Sequence, residues 1–148
     1  LTPWYREHVS PKFVYDRNQI MAILNQESSL MEIVKLIGSD VLPDDQKLTL
    51  EIARVIRLGF LQQNAFHQED TSVPMEKQFL MMETILYLYE KCRALVNRGM
   101  PVSVLKEDKI FERIIAIKYE VPNKELERFD EYHKDIDRFY DNVLERNG

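Results

Sequence analysis

The chain has 148 residues, 45% of them apolar and 30% charged, which is the balance of one globular domain. Its 20 Lys+Arg stand against 25 Asp+Glu, so it carries no global positive field to draw in nucleic acid or an anionic lipid surface. A chain of this length buries about 70% of its unfolded surface without staples; the lone Cys92 excludes an intrachain disulfide and a cysteine-based zinc cluster and points to a reducing compartment.

The chain opens Leu1-Thr2-Pro3-Trp4 without a charged-then-apolar leader, which predicts no signal peptide and a piece of something longer. Its longest apolar runs, at 79–82 and 114–117, fall far below the ~20 residues of a membrane span, so direct membrane insertion is not expected. Four glycines and six prolines divide the rest into long unpunctuated stretches that read as helices.

Between Pro11 and Gly38, Ile20, Ile23, Leu24, Leu30, Ile33, Val34 and Ile37 recur at three- and four-residue steps, predicting an amphipathic helix. Ser29 followed by Glu32 has the form of a capping box, so a break near Ser28 is also expected. A second helix should start at Asp44-Asp45, whose carboxylates suit the positive end of a helix dipole, and run to Asn64. Leu48, Ile52, Val55, Ile56 and Phe60 form its inner stripe, with Arg54 and Arg57 on other faces, solvated or paired with carboxylates.

The third helix, from Pro74 to Gly99, carries Met82, Ile85, Tyr89, Cys92 and Val96 in a heptad-like series widened by Phe79, Leu86, Leu88 and Leu95. It reads as the central helix, and Cys92 reads as a small buried hydrophobe rather than a nucleophile. A shorter helix is expected from Ser103 to Tyr119. A last one should run from an Asn123 cap to Arg146, with Leu126, Phe129, Ile136, Phe139, Tyr140 and Val143 inward and Asp130, Lys134, Asp137, Arg138 and Asp141 on a solvated outer face. The sum is an all-α fold, a bundle of five to six helices with mostly antiparallel neighbours.

Several chemistries are missing from the sequence. It contains no GxxxxGK[ST] or GxGxxG phosphate loop, and four isolated glycines cannot build one. His8, His67 and His133 are far apart, and Asp130 with His133 is the one pair in carboxylate-x-x-His order, which falls short of a metal site. Serine and cysteine lack the neighbours of an activated nucleophile.

Two segments stand out. The connection at 38–45 carries Asp40, Asp44 and Asp45 around an apolar Val41-Leu42 pair; it reads either as a helix stop, turn and cap or as a contact pad for a basic partner. At 60–67, an amphipathic helix runs into Gln62, Gln63 and Asn64, then Phe66 and His67. Amides beside a ring can bond and stack a flat heterocycle, a contact worth roughly 1–3 kcal/mol, or Phe66 can simply anchor a loop.

These same runs carry a resemblance. Residues 37–43 (Ile-Gly-Ser-Asp-Val-Leu-Pro), 48–57 (Leu-Thr-Leu-Glu-Ile-Ala-Arg-Val-Ile-Arg) and 60–67 (Phe-Leu-Gln-Gln-Asn-Ala-Phe-His) resemble the C-terminal helical domain of the catalytic A (alpha) subunit of V-type and archaeal-type ATP synthases. Trp4-Tyr5, Lys77-Gln78 and Ile117-Lys118-Tyr119 add to the likeness, which spans nearly the whole chain. The resemblance implies that 1–148 is a single C-terminal helical domain of a rotary ATPase subunit that couples ATP synthesis or hydrolysis to H⁺ or Na⁺ transport.

On that reading, ATP or ADP with Mg²⁺ is bound by the full subunit, while this chain alone carries no catalytic residue and is inactive. Phe66 packs on adenine, supported by Gln63 and Asn64. Asp40, Val41, Leu42, Asp44 and Asp45 meet the central stalk, at the corner where the beta subunit of F-type enzymes carries a DELSEED segment. Val41, Pro43 and Gln46 depart from that segment, leaving a stiffer, less charged tip suited to steric pushing. Gly59 departs too, where the family often places an acidic residue, and a mid-helix glycine costs about 1 kcal/mol relative to alanine. The implied partners are non-catalytic B subunits and central-stalk subunits, and the implied location is cytoplasmic, at the membrane's periphery in the ATPase head. The alternative is a stand-alone helical interaction module of related fold without nucleotide function.

Overall fold

The computed structural model describes residues 3–61 and 74–147, with side chains from residue 11 onward. It is all helical: α1 (Pro3–Ile37), α2 (Asp44–Ile56) continued by a π-helical segment (Arg57–Leu61), α3 (Met75–Asn97), α4 (Val102–Leu105), α5 (Ile110–Ile115), α6 (Ile117–Glu120), a 3₁₀ turn (Leu126–Arg128) and α7 (Phe129–Asn147). Among the described residues there is no strand, and no helix is long and apolar enough to cross a membrane.

The central role expected of the third helix is met. Met81, Met82, Ile85, Leu88, Cys92 and Leu95 of α3 have no exposed surface, because α1, α2 and α7 all pack against this helix. At roughly 25 cal/mol per Å² of apolar area, this seam is the main favourable term in the fold. Its end is fixed by a left-handed glycine: Gly99 has φ +95, its N–H donates to the Val96 carbonyl (2.9 Å), and the Met100 N–H donates to that of Leu95 (3.1 Å). The inner stripe of α2 (Leu48, Ile52, Val55, Ile56) is buried as expected, with Phe60 half-buried. On α7, Phe129, Ile136, Phe139 and Val143 are buried, and the five charged residues assigned to its outer face are exposed.

Four boundaries differ from the sequence reading. Helix α1 does not begin at Pro11 but runs through it. A proline inside a helix costs about 3 kcal/mol; here the following turns are held by the stacked Phe13 and Phe79 rings, 6.5 Å apart, and by the Lys12–Asp16 ion pair. Nor does α1 break at Ser28: the Ser28 hydroxyl bonds back to the Leu24 carbonyl inside a continuous helix, so Ser29 caps nothing. The single helix expected over 103–119 is three short ones, α4 to α6, separated at 106–109 and at Ala116. The last helix starts six residues after Asn123, behind the 3₁₀ turn. A burial was also missed: Tyr132 is 1% exposed, its hydroxyl donating to Glu120 Oε1 at 2.8 Å.

The π-helical end of α2 explains Gly59. A Cβ there would stand 3.2 Å from the Ile115 Cα and 3.7 Å from its carbonyl oxygen. Backbone of α5 cannot move aside as a flexible side chain does, so the glycine is required by close approach. Lys118, itself buried, donates from Nζ to the Leu58 carbonyl in the same segment. Helix propensity alone predicts that Gly59→Ala stabilises by about 1 kcal/mol; the packing predicts a loss of about 1–2 kcal/mol. Denaturant unfolding of the two chains decides the sign.

Candidate functional site

The corner between α1 and α2 is built from short-range rules. Gly38, at φ +84, ends α1 by donating its N–H to the Val34 carbonyl at 2.9 Å. The Leu42 N–H donates to the Ser39 carbonyl at 3.1 Å, closing the turn, and Pro43 in extended conformation starts α2. The aspartates divide their work. Asp45 Oδ1 accepts the Gln46 N–H at 3.0 Å, whereas Asp44 Oδ1 accepts the Val102 N–H at 3.0 Å. Asp44 therefore secures the first amide of α4, 58 positions away, rather than capping its own helix.

Of the five residues assigned to the corner, Leu42 is buried and Asp44 half-buried, while Asp40, Val41 and Asp45 face outward. The sequence reading missed what lies beside them. It placed Ile33 and Ile37 on the packed face of α1, yet Ile33 is 40%, Ile37 62% and Leu36 84% exposed. The cause is length: α3 ends level with Leu30, since its Val96 and Asn97 share a groove with Ser29 and Leu30, so the last turns of α1 run past the bundle. Ile33, Leu36 and Ile37 share one face of α1 as an apolar ridge, and Val41 (59% exposed), Asp40 and Asp45 are exposed in the turn that follows. The signal was available in the 3.6 period, which covers more than one face over 30–37.

Arginines brace the far end of α2. Arg57 pairs with Glu27 of α1 at 2.8 Å. Arg54 pairs at 2.8 Å with both the buried Glu51 and Glu112 of α5. The hydrogen bonds to Glu51 hold the Arg54 guanidinium well above its usual range, against the effect of burial. Both arginines are thus paired, not free to meet an anion.

At the opposite end of α2, the described chain leaves the bundle at Leu61 and resumes at Pro74. Gln63, Asn64 and Phe66 lie outside the described residues, as does His67. The flanks are pinned: Lys118 holds the π-helical segment, and the buried Lys77 donates to the Val121 carbonyl at 2.8 Å. The corner and the exit at Leu61 therefore sit at the two ends of one rod of 13 α-helical and 5 π-helical residues, about 25 Å long.

No other chemistry competes among the described residues. No group of three or more His, Cys, Asp or Glu could hold a metal ion. Burial pushes the Cys92 thiol up, so it is not a thiolate at neutral pH. His133 bonds the Thr84 hydroxyl at 3.1 Å, and burial lowers its pKa despite Asp130 and Asp137.

Comparison with known proteins gives one consistent answer. The family described as the C-terminal domain of V and A type ATP synthase matches residues 2–104. The chain is 43% identical over 146 residues to the V-type ATP synthase alpha chain 2 of Clostridium tetani, covering 99% of this chain and 25% of that one. It is 41% identical over 145 residues to the V-type ATP synthase alpha chain of Halothermothrix orenii (98% and 25%). It is also 41% identical over 143 residues to the corresponding subunit of the A-type ATP synthase of Methanopyrus kandleri (96% and 24%). The chain spans about a quarter of the length of these relatives.

The corner's stiffness is testable. Asp44→Ala should cost about 1–2 kcal/mol in denaturant unfolding and raise hydrogen exchange at the Val102 amide, because a half-buried donor is orphaned. Val41→Ala, outward and without a partner in the bundle, should change stability by less than about 0.5 kcal/mol.

Proposed function

The chain belongs to the family of C-terminal domains of V and A type ATP synthases, and from that premise we propose that it is the mechanical output arm of the catalytic A (alpha) subunit of a rotary ATPase. In this reading 1–148 acts as one domain. The apolar ridge and the outward Asp40, Val41 and Asp45 press on the central stalk, or are pressed by it during synthesis, while Leu42 and Asp44 hold the corner stiff. The adjoining B subunits and the stalk subunits are its partners, the whole standing at the membrane's periphery and coupled to H⁺ or Na⁺ transport.

Phe66 is assigned to the adenine of ATP or ADP, with Gln63 and Asn64 supporting it. The bound nucleotide and its Mg²⁺ supply the phosphoryl chemistry; this sequence has no phosphate loop, and its described residues offer no metal cluster. Its own contribution is transmission. The observation that carries the reading is that the corner and the exit at Leu61, which leads to 62–67, lie at opposite ends of the same helix, so a displacement at one end arrives at the other with little lost to bending. Apolar contact and shape transmit a push without depending on net charge, in keeping with the mixed surface of the tip.

The assembled ATPase separates the two roles. Phe66→Ala should weaken nucleotide affinity roughly 5- to 100-fold, as expected for losing a ring–base stack, with the ions moved per ATP unchanged. Val41→Asp should leave nucleotide affinity unchanged and lower the ions moved per ATP. The isolated chain should hydrolyse no ATP. Unchanged affinity in the Phe66 variant together with unchanged coupling in the Val41 variant would contradict the proposal and leave a free-standing interaction module.

A further inference from the structure

Between the first half of α1 and the middle of α3 lies a cleft of about 430 Å³, touched on one side by α7, which holds a carboxyl pair that the transmission role leaves unused. Asp16 of α1 has no exposed surface. Its two oxygens are served unequally: Oδ1 accepts a 3.1 Å bond from Lys12 Nζ, one turn earlier, while Oδ2 is buried with no hydrogen-bond partner. Glu83 of α3 stands within hydrogen-bonding reach of Asp16 and meets the same Lys12 Nζ at 3.4 Å. One ammonium thus faces two carboxylates across a helix–helix joint, and one of their buried oxygens has no donor.

Other polar groups line the cleft, Gln19 among them. On α1, Lys12 also lies over the Tyr15 ring, 4.9 Å from its centroid. On α3, the Tyr87 hydroxyl donates to Asp137, Arg93 sits over the Tyr89 ring at 5.4 Å, and Glu90 adds a further negative charge. From α7 the group that faces the cleft is His133, whose Nε2 is engaged with Thr84. A buried polar atom without a partner bears its full desolvation cost, and two adjacent carboxylates do not both ionise readily in a poorly solvated site.

We propose that Asp16 and Glu83 share a single proton at neutral pH, forming an acid–carboxylate hydrogen bond from Glu83 to Asp16 Oδ2 that ties α1 to α3, and that loss of this proton loosens the joint. One proton satisfies the orphaned oxygen and leaves one negative charge to pair with Lys12. Burial above all, then the hydrogen bond and charge of Asp16, push Glu83 up to about 7, with Lys12 opposing. Lys12 itself loses basicity to burial but gains more from Asp16 and Glu83, so it stays cationic throughout this range. The same α1 carries the corner at its other end, which places a proton-dependent joint on the helix that bears the tip. The inference rests on the cleft alone and stands or falls independently of the function proposed above.

The sign follows from linkage. A carboxyl whose pKa is higher in the folded chain contributes stability that is complete below 4.5, its ordinary value, and lost as pH rises to about 7. His133, lowered by burial, acts oppositely, removing stability as pH falls below 6.5; it is common to all the variants and cancels in their comparison. Two measurements on the 148-residue chain test the proposal. In the first, ¹³C carboxyl titration should give Glu83 a midpoint near 7, falling toward the ordinary range in Asp16→Asn. In the second, thermal unfolding between pH 5 and 8 should show Glu83→Gln, which keeps the donor at every pH, gaining about 3–6 °C over the native chain at pH 8 relative to pH 5. A Glu83 midpoint in the usual carboxylate range, measured on the native chain and needing no variant to fold, would overturn the proposal. So would parallel pH profiles for native chain and Glu83→Gln.

Discussion

Burial of α3 on three sides is the constraint on which the other elements depend. Seven of its residues, six apolar side chains and Thr84, have no exposed surface, and covering them requires α1, α2 and α7 to lie along it. Once those three are placed, the short helices α4 to α6 fill the remaining edge, with Phe111 and Ile114 meeting α2, the π-helical segment and α7. Polar groups drawn into this packing find partners, some far along the chain (Lys77 to Val121, Lys118 to Leu58) and some within their own helix (Glu51 to Arg54, Thr49 to Asp45). Asp16 Oδ2 has no such partner, which is why a proton shared with Glu83 is assigned there.

Mismatch in helix length turns the bundle into a device with two ends. Helix α1 has 35 residues and α3 has 23, and part of the surplus runs past the end of α3, where apolar side chains meet solvent. Exposed apolar side chains clustered on one helix face beside a turn are a usual mark of a contact surface. The turn's stiffness is not local, since Asp44 reaches across to α4. The other end of α2 is equally constrained by Gly59 against the α5 backbone and by Lys118.

The sequence conveyed the fold where one physical rule acts alone. The stripes of α2, α3 and α7 follow from the 3.6 period, and Gly38 and Gly99 mark helix ends where both adopt positive φ. It misled where a local signal is overridden by packing: Pro11 and the Ser29–Glu32 pair look like boundaries, yet the helix continues through both. Tyr132 and Asp16 carry polar atoms and were not read as core: the Tyr132 hydroxyl finds its partner in Glu120, and Asp16 is covered where α1 packs on α3. Gly59 was visible as an oddity, and its cause, contact with Ile115, was not. The acidic corner was legible as a segment, but the division between inward Leu42 and Asp44 and outward Asp40, Val41 and Asp45 is a product of tertiary contacts.

The central claim, that the outward corner is where this domain meets a rotating partner, is tested most directly by a short photocrosslinker attached at Val41→Cys in the assembled ATPase, with Asp141→Cys on the outer face of α7 as the control position. The account predicts that Val41→Cys joins to the central stalk and that illumination stops turnover, while the control position gives no such product. A Val41→Cys that stays open to soluble thiol reagents in the assembled enzyme, yields no stalk product and leaves turnover intact would contradict it.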